Sequence, residues 1–500
     1  MKRLLKPCLL IMLFAILPLY MRQGYYELGE AKGLFFMIVG GILALLLVIF
    51  DYKLFLDFWA EQSNICYSVI VLGFSAVSSL LLSVDKETSF FGLRGWRTGF
   101  ITFFICFVLF VEFRGERNIG GKTIAFLLVV PFIEFILGII MRFGIYPIKF
   151  YGLDNAFLAT IGNINWYTAY LSIFVPIGIG LGFISGRFTK GFVLSGIYTF
   201  FGLLALILQG SKSAALVILA AYLLLFLISL DSWDGLDTYL CQLFILGLTM
   251  EVAAMLILLF GKRYTYEYNI IVNACLWHIG AVIMGVCFFF YRICRFLEVV
   301  HVTWRGKLIR RIWLTIFTVV LIILWLLFVR KYVYDFGNGR GFIWSITIDM
   351  FNKMTPFRRF FGIGQDAFST YAYSDPEIAD SLMNIFGYNM LTNAHSDLLT
   401  ILIEKGIFGV LTYVGFIAAG TIELIKNRKE HAALVCILPV FACYVNSIVS
   451  FSLVVSTPYL FVLMGIGCTK KSKSMRDVPL LEPEKKIGKN IPASAKGKQE

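Results

Sequence analysis

Four histidines occur in this 500-residue chain, at positions 278, 301, 395 and 431. His395 stands in Asn393-Ala394-His395-Ser396-Asp397, just ahead of an apolar run. An imidazole titrates near pH 6.5, so a histidine at a membrane surface is suited to accept a proton from an attacking hydroxyl. The plainer reading of His395 is a helix cap or a contact to lipid headgroups. Arg340, in Gly339-Arg340-Gly341-Phe342-Ile343-Trp344, opens a predicted helix, where a guanidinium and the first backbone amides together hold phosphate oxygens. Its competing reading is a membrane-surface anchor. Lys212, in Gly210-Ser211-Lys212-Ser213-Ala214, lies between two apolar runs with almost nothing separating them. An ionisable group there faces a cavity or snorkels to the surface. Arg94 and Arg97, in Gly92-Leu93-Arg94-Gly95-Trp96-Arg97, add positive charge, although Arg and Trp are ordinary at membrane interfaces.

Other chemistries lack their residues. The glycines at 337–341 and 362–364 are not followed by the Lys-Ser/Thr of a phosphate-binding P-loop. No Asp-rich motif suits Mg²⁺, no histidine pair has zinc spacing, and no metal or cofactor is called for.

The elements that position these residues are membrane helices. Hydrophobic residues make up 59% of the chain and charged residues 15%, against about 25% charged in a soluble domain. The apolar runs are long enough to cross a hydrocarbon core, which takes about 20 helical residues. The sequence predicts an all-α polytopic membrane protein with about fourteen transmembrane helices. They fall near 5–21, 33–50, 62–83, 98–113, 123–141, 165–185, 191–209, 213–230, 238–260, 270–291, 312–330, 402–425, 432–451 and 453–469. No small-residue cleavage site follows the first, so it reads as a retained span. Basic residues cluster beside alternate span ends, among them Arg114, Arg187, Arg292, Arg310, Arg311 and Lys426, which puts both termini in the cytoplasm. The net charge of +13 is then a topology and lipid-headgroup signal, and nucleic acid is not a partner. The ten cysteines lack ligand spacing and read as small core residues. Charges expected deep in the spans are few, Glu134 and Glu251 being the candidates.

Four regions follow: an N-terminal transmembrane bundle over 1–330, one large extracytoplasmic loop with short helices over 331–401, C-terminal transmembrane helices over 402–469, and a basic disordered cytoplasmic tail over 470–500. The loop is too polar to span, and every other loop is shorter. Within it, Phe342, Ile343, Ile346 and Met350 share one helical face, Phe361-Gly362-Ile363-Gly364 forms a Gly-hinged turn, and Asn393 is placed to cap the next helix.

Taken in order, several segments resemble the O-antigen ligase and polymerase superfamily of bacterial membrane glycosyltransferases. They are Gly162-Asn163-Ile164-Asn165-Trp166, the turn at 210–214, Arg340 with Trp344, Phe361-Gly362-Ile363-Gly364 with Phe368, and His395 followed by Glu404, Gly406 and Gly409. The resemblance spans about residues 150 to 460 and lies in their order and spacing. It implies a fold of the lipid-linked-donor (GT-C-like) kind. It also implies transfer or polymerisation of glycan from undecaprenyl pyrophosphate at the outer face of the bacterial cytoplasmic membrane, without a metal. The acceptor would be a glycan, a lipid or a wall polymer. On this resemblance His395 activates the acceptor hydroxyl. Arg340 and Lys212, with Arg94 and Arg97 on the same face, hold the pyrophosphate, and Trp344, Asn165 and Glu404 support them. Lys212 stands where the family more often has arginine, and Ser396 where it commonly has asparagine. The competing class is a polysaccharide or lipid-glycan transporter or flippase.

Overall fold

The computed structural model describes residues 2–116, 119–148, 150–330, 336–387 and 389–469. The tail over 470–500 and the first residues of the predicted loop, 331–335, lie outside that set. The protein is about 75% helical, and its one sheet among the described residues is a two-stranded antiparallel pair, Phe157–Leu158 with Gly162–Asn163.

Eight helices among the described residues are long and apolar enough to cross a membrane: Leu28–Phe50, Asn64–Leu81, Gly121–Arg142, Ile164–Ile184, Lys190–Leu208, Trp233–Arg263, Ile279–Val299 and Gly406–Lys426. Five shorter apolar helices accompany them: Leu4–Leu19, Phe100–Phe113, Ala214–Ser229, His431–Ser447 and Thr457–Gly467. Their outer faces leave large apolar side chains uncovered, such as Phe74, Leu194, Leu219, Leu258 and Phe288. A soluble monomer rarely shows contiguous apolar surface on this scale, whereas lipid tails cover it without cost. These helices are compatible with a membrane location.

Ile164–Ile184 is the central post. It packs against Lys190–Leu208 on one flank and His431–Ser447 on another, and 16 of its 21 residues are buried. Tyr170 and Phe174 of this post meet Tyr459 and Phe14 in an aromatic cluster with centroid separations of 4.4 to 6.2 Å. Tyr459 donates its hydroxyl hydrogen to the Leu13 carbonyl at 2.6 Å. That carbonyl lies in a π-helical turn, Met12–Ile16, where the usual ladder is interrupted.

The predicted span at 270–291 is broken. Ile270–Leu276 ends, His278 takes a left-handed φ of 53°, and Ile279–Val299 begins. His278 Nδ1 lies 2.8 Å from Glu251 Oε2, so the two polar side chains satisfy one another at the break. The Glu251 side chain is 22% exposed. The fully buried charged side chains include Glu134 and also Lys32 and Arg142, two residues that compositional reading of the spans passed over. All ten cysteines are free thiols and eight are buried.

The segment between the bundle's two parts folds around a core of its own. Phe342, Ile343, Ile346 and Met350 of the Phe336–Lys353 helix are all buried in it, with Phe368, Leu382 and Ala394. Asp375 caps Pro376–Phe386 by accepting from the amides of Glu377 and Ile378, and proline at the first helical position has no amide to leave unsatisfied. Lys353 Nζ, 2.9 Å from both Asp375 and Glu377, ties that cap to the preceding helix.

The glycine turn wedges this unit against the membrane helices. Gly364 N donates to Glu404 O at 2.9 Å, and the Ile363 carbonyl accepts from Val84 N at 2.8 Å. Gly364 has φ of 122°, and a Cβ there would lie 2.1 Å from Ser83 Oγ. Gly364→Ala should therefore destabilise the protein by roughly 2 kcal/mol or more, combining left-handed strain with a clash. A fall in melting temperature of the purified protein checks this, and an unchanged one would contradict it.

Candidate functional site

The Asp397–Glu404 helix begins one residue after its N-cap, Ser396, whose side chain makes no capping bond. Asn393 is thus not the cap. Its Oδ1 accepts instead from the His395 amide at 3.0 Å, which fixes a tight turn with His395 at φ of 49°. Histidine tolerates this region better than most side chains, and a residue held there marks a site where geometry is imposed.

The turn between His431–Ser447 and Thr457–Gly467 reaches up to meet it. Phe451 packs edge-on to the His395 ring at 5.2 Å. One residue later, Ser452 donates its amide hydrogen to Asp397 Oδ1 at 2.6 Å and its hydroxyl to Oδ2 at 3.2 Å, and Tyr413 adds its hydroxyl to Oδ2 at 3.2 Å. Two residues earlier, the Val449 carbonyl accepts from Arg340 Nε at 3.0 Å. A single short turn therefore holds Arg340, His395 and Asp397, whose positions in sequence are unrelated to it.

Electrostatics follow from this packing. Burial, reinforced by the Arg340 charge close by, lowers the His395 pKa from 6.5 to about 4, so the imidazole is neutral at physiological pH. Burial also depresses the Arg340 guanidinium. The Asp397 carboxyl is pushed by burial from 3.8 up to about 6, against the pull of the Ser452 and Tyr413 hydrogen bonds. The two shifts act oppositely on stability. A histidine lowered on folding contributes stability that is present above pH 6.5 and lost as pH falls to about 4, worth about 3 kcal/mol. The raised Asp397 imposes a penalty above pH about 6 that is relieved on acidification towards 3.8. His395→Gln should remove only the first effect. Its melting temperature relative to the unchanged protein should rise between pH 6.5 and 4.5, and parallel curves would contradict the assignment.

No family model matches the chain, and no curated protein matches it.

Asp366, unremarked in the sequence, joins the loop unit to the Gly92–Gly99 turn. Its carboxylate accepts from the amides of Leu93 at 2.8 Å and Thr98 at 3.0 Å and from Thr98 Oγ1 at 2.8 Å. Trp96 of that turn packs on Phe451 at 5.0 Å and on Trp166 at 5.4 Å. The aromatic chain Trp166, Trp96, Phe451, His395 thus leads from the Asn163-Ile164-Asn165-Trp166 motif to the candidate base.

The Lys212 turn joins the same assembly. Ser211 Oγ donates to Asn165 Oδ1 at 3.1 Å, and the Gln209 side chain both accepts from Ser211 N at 2.9 Å and donates to Ser211 O at 3.1 Å. Arg142, wholly buried, donates to the backbone carbonyls of Gln209 and of Asn155 and sits over the Tyr266 ring at 4.7 Å. Lys212 itself is exposed.

Arg94 and Arg97 are differently employed. Arg97 grips Glu30 through Nε and a terminal nitrogen, the latter at 2.6 Å, and Arg94 pairs with Glu27. Glu30 also accepts from Gly95 N at 2.7 Å, so these arginines shape the turn that carries Trp96. Trp344 is half-buried beside the loop core. Glu404 is buried, and its carbonyl receives Gly364 N and, at 3.1 Å, the Ser79 hydroxyl.

Proposed function

We propose that this protein is a membrane glycosyltransferase of the O-antigen ligase and polymerase type, which moves a glycan from an undecaprenyl-pyrophosphate donor to an acceptor hydroxyl. The observation that carries the reading is the gathering of His395, Arg340 and Asp397 by the one turn at 449–452. A neutral imidazole beside a guanidinium is the pair this reaction needs. The acceptor oxygen attacks the anomeric carbon, its proton passes to His395, and the bond from that carbon to the pyrophosphate oxygen breaks. Inversion at the anomeric carbon follows. Pyrophosphate is already a good leaving group, so stabilising its growing charge with Arg340 and Lys212 suffices. In this reading the chain crosses the membrane about fourteen times with both termini cytoplasmic, and the site opens on the extracytoplasmic side.

Lys32 and Glu134, both wholly buried in long apolar helices, favour the rival reading of a lipid-glycan transporter or flippase. One assay separates the two. Membranes carrying the protein or its Arg340→Ala variant are supplied with undecaprenyl-pyrophosphate-linked glycan, with EDTA present. Covalent transfer that survives EDTA and falls at least tenfold in the variant supports the glycosyltransferase. Movement of labelled donor across the bilayer, without a new glycosidic bond, supports the transporter instead.

A further inference from the structure

Away from the His395 turn, an open groove of about 1020 Å³ runs between the helices Ala214–Ser229, Trp233–Phe260, Ile279–Val299 and Gly306–Arg330. Leu219, Phe226, Leu243, Phe290, Trp304 and Trp313 are among its walls. Two polar groups on those walls are already bonded within the protein: Trp304 Nε1 donates to the Leu230 carbonyl and the Tyr222 hydroxyl to the Gln242 carbonyl, both at 3.1 Å. A space lined this way is filled by hydrocarbon and not by water. Ala215 and Leu230 both line it, so at 1.5 Å per residue the groove follows one helix for about 22 Å, most of the roughly 30 Å of a hydrocarbon core.

One end of the groove is charged. Its wall residues Leu230 and Ile309 are each followed by an ionised side chain, Asp231 and Arg310. Arg310 donates to Asp231 Oδ1 at 2.7 Å and to the Leu227 carbonyl at 2.8 Å, and Arg428 Nε donates to Asp231 Oδ2 at 3.0 Å. Burial pulls the Asp231 carboxyl upward, but the hydrogen bonds from Arg428 and Arg310 outweigh it and hold the group below its usual range. Two guanidiniums therefore share one negative charge. Arg310 Nη1 donates to no acceptor among the described residues, and it is not enclosed. The segments that meet at this end, 230–237, 292–311 and 426–430, hold nine basic and five acidic residues, so the surplus around it is positive.

We propose that this groove binds an anionic phospholipid, with an acyl chain along its apolar walls and the headgroup phosphate on Arg310 and Arg428. The positive surplus favours a headgroup of net negative charge over a zwitterionic one. The apolar length calls for a chain that free phosphate lacks. This site is independent of the glycan-transfer reading.

The test is photolabelling of the full-length protein in phosphatidylcholine vesicles. The probe is phosphatidylglycerol with a diazirine on one acyl chain, and the control is phosphatidylcholine with the same chain. Adducts are expected on the groove walls, around Leu219 and Leu243, at about fivefold or more higher yield from the anionic probe. Unlabelled phosphatidylglycerol should compete and inorganic phosphate should not. Arg310→Gln should lower the labelling about fivefold, the share that one basic side chain adds to anionic headgroup binding, and Arg310→Lys should restore most of it. Leu219→Trp, at a wall position that is 60% exposed, should block the chain with the charges intact, and so guards against misfolding of the arginine variant. Equal labelling by the two headgroups, adducts confined to other helix faces, or unchanged labelling in Leu219→Trp would overturn the proposal. Displacement of the probe by undecaprenyl phosphate but not by phosphatidylglycerol would also overturn it, giving the groove to a polyprenyl chain.

Discussion

Replacing His395 by alanine should lower glycan transfer by about 10²- to 10⁴-fold at matched membrane levels, the span that a positioned general base usually supplies. The large end is expected because the Asn393 turn fixes the His395 backbone and Phe451 packs on its ring. A pKa near 4 makes the unliganded imidazole a poor proton acceptor. Donor pyrophosphate at Arg340 would cancel the repulsion that helps hold it there and so raise its basicity only when substrate is present. The acid limb of kcat should consequently lie at higher pH than that of kcat/KM, since the first reports the complex and the second the free enzyme. Coincident limbs would remove this coupling, and full polymer or ligation product from His395→Ala would remove His395 from the mechanism. Arg340→Lys should recover little of the Arg340→Ala loss, because an ammonium lacks the planar fork that can hold both Val449 and a phosphate oxygen.

Asp397→Ala should be the most damaging single change outside the reacting groups. It strips the partner from two hydrogen-bond donors on Ser452 and one on Tyr413, and an orphaned buried donor costs about 1–3 kcal/mol. Loss of the 449–452 turn would then release both Phe451 and Arg340. A drop in melting temperature with transfer reduced at least tenfold is the expected outcome. Asp397→Asn keeps one accepting oxygen and should retain the fold while losing part of the activity. If Asp397→Ala melts and transfers like the unaltered protein, the turn is not what organises the site.

Local signals in the sequence were legible where chemistry and periodicity coincide. The buried face at Phe342, Ile343, Ile346 and Met350 follows from helical spacing, and the turn at Gly362 and Gly364 from glycine's tolerance of positive φ. What local reading passed over is set by long-range contacts. Asp397 reads as an ordinary first-turn acid, yet its partner Ser452 lies 55 residues on, in a turn the hydropathy pattern compresses to a single residue between two runs. Asp366 likewise reaches back 268 residues to Thr98. Arg94 and Arg97 looked available for an anion because their partners, Glu27 and Glu30, stand at the edge of another predicted span. The break at His278 was hidden by unbroken apolar composition on both sides.

The buried Lys32 carries a consequence for how the chain is assembled. Its ammonium donates to the carbonyls of Leu17 and Pro18, Thr160 Oγ1 shares the Pro18 carbonyl at 2.7 Å, and the Thr160 amide donates to Glu134 at 3.0 Å. The first two apolar segments thus leave the ribosome carrying a charge whose counter-charge emerges about 100 residues later, and the residue linking them later still. An ammonium is expensive in lipid without such partners. The Lys32, Thr160 and Glu134 network therefore ties the N-terminal hairpin to two elements that follow it about 100 residues later in the chain.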